Sequence, residues 1–385
     1  MSDFIQSWDK KGSEPVRRPL WTLPSAFAVF LALGASAAAW GAALPQLRQR
    51  YDLGPTGGEE VISAFNLGAL VAVLGCGLAA RYLPPRPTLA GLLAAFGCGL
   101  VGAAQAPNWG FLLVSALVAG VGFGGVALHL NTTYAAGPRG VLLANLVNAM
   151  FGVGAIAAPL LVAGLSASTA LMSIAAVVAL SVPLVSGAVR ERPPTPPVGR
   201  ATVVLLAPFA LIGFLYAGVE TSAGAWAGTH LTWTGTAPDT AARLTALFWA
   251  GLAVGRLLVP LVATRPAVIV PTAFAVTTAG LLLATHPPLA VVGYAIAGLG
   301  LAPIIPTALA WLAHLTPHAH LAGSALLTCS MLGSALHPLL VGLVASPQHP
   351  TTIPLALTTY AVLGLLAALW TARHRTPHLA GTTQP

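Results

Sequence analysis

The chain has 385 residues, of which 56% are apolar and 7% charged, with a net charge of +8 and a mean hydropathy of +0.83. A soluble globular domain carries about 25% charged residues, so this chain cannot cover itself with a polar surface and must live in lipid. The positive balance does not point to nucleic acid, because the basic residues lie singly or in pairs between apolar runs, where the positive-inside rule puts them.

Residues 1–19 form a polar tail with Lys10, Lys11, Arg17 and Arg18. The apolar run that follows, 20–44, is longer than the roughly 7–15 residues of a signal-peptide core, so it reads as an uncleaved first span. Further continuous runs of about 20 apolar residues are each long enough to cross a bilayer as helix. A membrane barrel is excluded, since its strands alternate apolar and polar residues over about ten positions. The expected spans are 21–44, 61–81, 88–105, 109–131, 141–165, 169–189, 202–229, 241–264, 267–285, 288–313, 320–345 and 351–372. RERPPTPPVGR at 190–200 is rich in proline and reads as a stiff linker. It divides the chain into a six-helix half at 20–189 and another at 201–373, with a second tail at 374–385.

With the N-terminus inside, thirteen Lys and Arg fall on the inner side: Lys10, Lys11, Arg17, Arg18, Arg81, Arg86, Arg139, Arg190, Arg192, Arg200, Arg265, Arg373 and Arg375. Only Arg48, Arg50 and Arg243 fall outside. That asymmetry places both termini in the cytoplasm of a multi-pass protein of the cell (inner) membrane. Cys76, Cys98 and Cys329 are odd in number and all lie in apolar runs, which suggests no disulfide or metal framework.

The halves resemble each other. SAAAW at 36–40 matches SAGAW at 222–226, AGVGFG at 119–124 matches AGLGLA at 297–302, PLLV at 159–162 recurs at 338–341, and AFNLGALV at 64–71 pairs with LFWAGLAV at 247–254. One such match in an Ala/Gly-rich chain means little. Four at offsets between 178 and 186 imply two parallel repeats related by an axis along the membrane normal, with a solute site between them near the midplane.

WGAALPQLRQRY at 40–51, AGVGFGG at 119–125 followed by Asn131, FGVGAIAAP at 151–159, YAGVETSAGAW at 216–226 and FWAGLAVGR at 248–256 together resemble the major facilitator superfamily, and within it the fucose-permease-type branch. The resemblance implies an all-α membrane fold of twelve helices that carries a sugar or other small polar solute with a proton by alternating access. It implies no cofactor, and a monomer is expected. The sequence departs from the family at Ala80, where the loop after the second span would carry an aspartate. It departs again at Gly41 and Ala127, the places of the proton-coupling carboxylates of fucose permease.

Glu220 is the clearest candidate site residue, because an acid within a span costs about 2.5–3.5 kcal/mol and usually faces a wet cavity or an ion path. The alternative is a structural hydrogen bond. Arg256 is the one basic residue deep in a span. Counted from the inner ends at 1.5 Å per residue, Arg256 lies about 13 Å and Glu220 about 27 Å deep, so no easy pair is expected. Arg256 instead suits an inner-side network or an anionic or hydroxylated solute. His337 lies at nearly the depth of Glu220, where a His–Glu contact would titrate in the physiological range; a bond to a carbonyl near Pro338 is the other reading.

Trp40 and Trp226 occupy matching places and could stack on a solute, or anchor the chain at the membrane interface; Trp249 invites the same two readings. Asn66, Asn145 and Asn148 must find partners in an apolar setting, and Asn145 and Asn148 share a helix face. His129 and Asn131 read as gate or loop residues. His314, His318 and His320 cluster in one loop, but no acid or cysteine flanks them and Pro317 interrupts the register, so no metal is expected. No GxxxxGK[ST] motif is present to power an ATP-driven pump, and no nucleophile–base arrangement suggests an enzyme. An exporter of drugs or metabolites, or an uncoupled facilitator, remains the rival reading, because the spans hold few polar groups.

Overall fold

The computed structural model describes residues 22–79, 82, 84–135, 140–182, 200–258, 265–315 and 319–374. Residues 1–21, 183–199 and 375–385, Ala80, Arg81, Pro317 and His318 lie outside the described residues, as do the side chains of Asn145, His314 and His320. The first half contains α1 (Thr22–Arg50), α2 (Glu60–Ala79), α3 (Pro85–Ala104), α4 (Trp109–Ala135), α5 (Gly140–Gly164) and α6 (Ala167–Ala179). The second contains α7 (Arg200–Trp233), α8 (Pro238–Leu258), α9 (Pro266–Leu283), α10 (Ala290–Leu301), α11 (Ile304–Leu315), α12 (Ala319–Val344) and α13 (Thr352–His374). Ten of the twelve expected spans are long and apolar enough to cross a membrane, and Glu60–Cys76 and Ala167–Ala179 are shorter apolar helices.

Local chemistry sets the helix ends. Pro85, Pro238 and Pro266 each open a helix, where the missing N–H costs nothing. Ser166 caps α6 by accepting from the Thr169 amide at 3.1 Å. Two spans differ from the sequence expectation. The tenth is not one helix: it breaks between Leu301 and Ile304, because Pro303 cannot donate to the preceding turn. The first runs six residues past 44, through Pro45 to Arg50. Its polar last turns stay helical because Gln46, Arg48 and Arg50 there have found partners.

The same pairs of helices pack in both halves. α2 and α3 both pack on α4, as α8 and α9 both pack on α10; α1 packs on α5 as α7 packs on α12; α3 packs on α6 as α9 packs on α13. The glycines show why. A Cβ at Gly120 would overlap the Phe65 carbonyl, and one at Gly298 would overlap the Phe248 carbonyl. Gly68 meets the Leu117 carbonyl in the same way that Gly251 meets the Ala295 carbonyl. The repeated glycines are thus the points where helix backbones touch, the packing that membrane helices rely on when oil gives no hydrophobic drive. Large apolar side chains such as Val114, Leu343 and Leu366 are exposed, as lipid-facing positions must be.

The halves are joined chiefly by α1 with α7, α2 with α12, and α5 with α8, with a slighter contact of α1 with α8. The α2–α12 and α5–α8 pairs are symmetry mates of each other. The end of the bundle that carries the turns after α1, α7 and α12 is called the turn end below.

Candidate functional site

The groups along the α1/α7 seam lie in order from the turn end inward. At the turn end, α1 finishes as a polar knot. Gln46 donates from Nε2 to the Val162 carbonyl at 3.0 Å and accepts from the Ala167 amide at 2.7 Å. Arg50 donates to the Ala106 carbonyl at 2.9 Å and to Ser168 Oγ at 2.8 Å. Arg48 uses all of its nitrogens: Nε to the Gly57 carbonyl at 2.8 Å, Nη2 to Glu59 Oε1 at 2.7 Å, and Nη1 across the seam to Thr229 Oγ1 at 2.9 Å. The guanidinium also lies over the Trp226 ring, 5.4 Å from its centroid. Sequence reading treated Arg48 only as a topological charge. The available signal was an Arg at the end of a span followed eleven residues later by Glu59, the only acid of the first half that the described residues bury.

Glu59 is 3% exposed. A Cβ at Gly342 of α12 would stand 3.5 Å from Glu59 Oε2, so this carboxyl also touches the second half. Burial pushes it up to about 7, against the Arg48 guanidinium, which pulls it down. A carboxyl in water titrates near about 4.3. The folded protein therefore holds the Glu59 proton more tightly than the unfolded chain, and this stabilising contribution, present in acid, fades as pH rises through about 7. The thermal midpoint of the purified protein is expected to fall between about pH 5 and pH 7, the span between the unfolded and folded values, and Glu59→Gln to remove much of that fall. An undiminished fall in the variant would assign it to other groups.

Further inward, Gly41 of α1 lies on Gly224 of α7, where a Cβ would overlap the Gly224 carbonyl. The two helices touch backbone to backbone. One turn deeper on α7 comes Glu220, paired with Arg256 of α8 at 3.7 Å between Oε1 and Nη2. The expectation that these two lie too far apart is therefore corrected. That estimate counted from the inner ends, which are not level. Counted from the turn that α7 and α8 share, Glu220 is 13 residues before Trp233 and Arg256 is 18 after Pro238. The remaining five residues amount to about 7.5 Å, within reach of an arginine side chain. Tyr216, one turn before Glu220 on α7, is buried beside the pair. The pair is partly open, with side chains 18% and 32% exposed; Glu220 lies well inside α7, and Arg256 in the last described turn of α8. Ala253, one turn before Arg256, touches Gly152 of α5, so the pair stands where α8 meets the other half.

His337 does not join this pair among the described contacts. Its Nδ1 donates to the Gly333 carbonyl of its own helix at 2.9 Å, and its ring sits between Phe214 and Tyr360. The ring packs on α7 at Gly218. Gly218 and Glu220 are two residues apart, so they point away from each other, and equal depth brings no contact.

Trp226 is fully buried and donates from Nε1 to the Pro338 carbonyl at 3.1 Å. Trp40 is 1% exposed and packs on Phe65. Both indoles are enclosed by helices. Trp249 is buried against Phe248 and Gly224. The indole N–H groups of Trp40 and Trp249 and the Ser222 hydroxyl are buried without a hydrogen-bond partner among the described residues. Asn66 donates to the Ile62 carbonyl of its own turn, and Asn148 to Asn131 Oδ1, which holds α5 to α4. Asn145 lies on α5, with its side chain outside the described part. The structure thus brings Glu220, Arg256 and Tyr216 together near Trp249, while His337 and Asn66 bond within their own helices.

Paired six-helix halves meeting along seams, with a charged pair beside one of them, make a multi-pass membrane transporter and not an enzyme. The chain belongs to the Major Facilitator Superfamily, whose family profile matches residues 25–338. Among solved structures it is similar to a D-xylose-proton symporter (TM-score 0.76, 12% identity, 94% of this chain and 99% of that one). It is also similar to the nucleoside transporter NupG (0.67, 15%, 93% and 99%) and to a variant of the E. coli fucose:proton symporter FucP (0.64, 17%, 92% and 98%). At these identities the likeness speaks for the fold. No curated protein matches the sequence.

Proposed function

We propose that the protein imports a small hydroxylated solute, a sugar or a molecule of similar polarity, together with a proton, by rocking its two halves about a central site. In this reading it sits in the cell (inner) membrane with both termini cytoplasmic. The observation that carries the reading is the Glu220–Arg256 pair beside Tyr216: a partly open ion pair that sets a mid-helix acid of α7 beside the seam between the halves. Such groups are costly in a membrane and are kept where an ion or substrate passes. The unpartnered donors of Trp40, Trp249 and Ser222 favour a solute rich in oxygen acceptors, because buried polar groups are otherwise satisfied. Neither place of the fucose-permease carboxylates can serve here. Gly41 has no room for a side chain in this conformation, and position 127 is an alanine. Coupling therefore falls to Glu220. The structural neighbours, two proton symporters of sugars and a nucleoside transporter, agree with this class of solute.

The test is a solute panel in proteoliposomes, with and without an imposed pH gradient. Accumulation of a sugar or related polyol that needs the gradient is expected. Extrusion of amphipathic drugs would favour the exporter reading, which the scarcity of polar side chains in the spans supports; gradient-independent equilibration would favour a facilitator.

A further inference from the structure

The two halves must part at the turn end for a central site to open on that side. Three observations locate what resists the parting. Arg48 belongs to the first half by chain and by its bonds to Gly57 and Glu59, yet it donates to Thr229 of the second half and covers Trp226. Trp226 in turn is tied to α12 through its bond to the Pro338 carbonyl. Glu59, which fixes the Arg48 guanidinium, is itself pressed against Gly342 of α12. One arginine therefore connects α1, the turn before α2, α7 and, through Trp226, α12. Position 234, the counterpart of Arg48 at the tryptophan repeat offset, is a threonine, so that place in the second half carries no guanidinium.

We propose that Arg48 is the latch that holds the turn end shut, with Glu59 positioning it and with Thr229 and the Trp226 face as its catch. The bonds that cross between the halves must break on every opening, while the Arg48–Glu59 bond stays within the first half and need not. Arg48 is thus set in the same place for the next closure. The latch acts on the balance between conformations and is independent of which solute is carried and of the role proposed for Glu220.

The test measures the distance across the turn end in the full-length protein in lipid nanodiscs. Spin labels are placed through Pro55→Cys and Gln348→Cys, both exposed turn positions on opposite halves, with Cys76, Cys98 and Cys329 replaced by serine. The parent should show a dominant short distance. Arg48→Ala should raise the population of a longer distance by about tenfold, the worth of a hydrogen bond to a charged group. Thr229→Val, which keeps shape and removes only the acceptor, should raise it by a smaller factor, and Arg48→Lys should restore part of the short distance. If Arg48→Ala fails to fold, Thr229→Val decides alone. An unchanged distance distribution in Thr229→Val, and in Arg48→Ala where that variant folds, would overturn the latch. Because the readout needs no solute, its failure is separable from failure of the uptake assay.

Discussion

Glu220→Gln is expected to abolish accumulation driven by a pH gradient while leaving exchange of solute across the membrane partly intact. The substitution keeps size and hydrogen-bonding capacity, so the fold should persist. It removes the charge and the ability to take up and release a proton. A loss of at least about tenfold in accumulation, the rate equivalent of about 1.4 kcal/mol, is expected in proteoliposomes under an imposed gradient. Counterflow of labelled solute without a gradient should fall less. Leaving Arg256 without its anion carries a cost of its own, since a buried charge deprived of its partner is destabilising; a melting curve taken beside the transport assay separates that effect. Accumulation equal to the parent's would remove Glu220 from the coupling role.

Gly41→Val should have the second large effect. No side chain fits at position 41 while α1 lies on Gly224, because its first carbon would already overlap the Gly224 carbonyl. Helix backbones do not yield locally to such an overlap, so α1 and α7 must separate and the turn end cannot close as seen here. The contact joins the two halves and lies outside the core of either, so each half should still fold. Transport is expected to fall by more than about tenfold, by the same rate arithmetic, with the thermal midpoint lowered only modestly. Gly91→Val provides the control, since nothing stands within 4 Å of a Cβ there. Transport unchanged in Gly41→Val would mean that the seam seen here is not visited in the cycle. The same steric fact explains the empty place of the first-helix carboxylate: a residue that must touch backbone in the closed conformation cannot also carry an acid.

Much of this architecture was legible before any coordinates. Twelve apolar runs, a proline-rich divider and four matched strings were enough to foresee two six-helix halves, because span length and the need to satisfy every backbone group in lipid leave few alternatives. The glycine strings carried more than a repeat signal. Gly120 and Gly298 match in sequence and, in the fold, each touches the carbonyl of a matching phenylalanine, Phe65 or Phe248. The break in the tenth span was missed although Pro303 was visible, because Pro45, Pro159, Pro208, Pro271 and Pro338 all sit inside unbroken helices. A proline alone does not say which outcome its neighbours will permit.

The sequence by itself determined that the chain is a helical membrane protein of two like halves and that Glu220 is an expensive residue needing a reason. Hydropathy and the cost of a buried charge are properties of single segments, and they survive without knowledge of neighbours. Only the tertiary structure decided that Glu220 meets Arg256 and not His337, that Trp226 is tied to Pro338 and covered by Arg48, and that Arg48 reaches across to Thr229. Those outcomes depend on helix rotation and on which helix ends lie level. A turn of about 100° per residue separates facing from opposed positions, and no pattern within one helix records the angle at which another will lie against it.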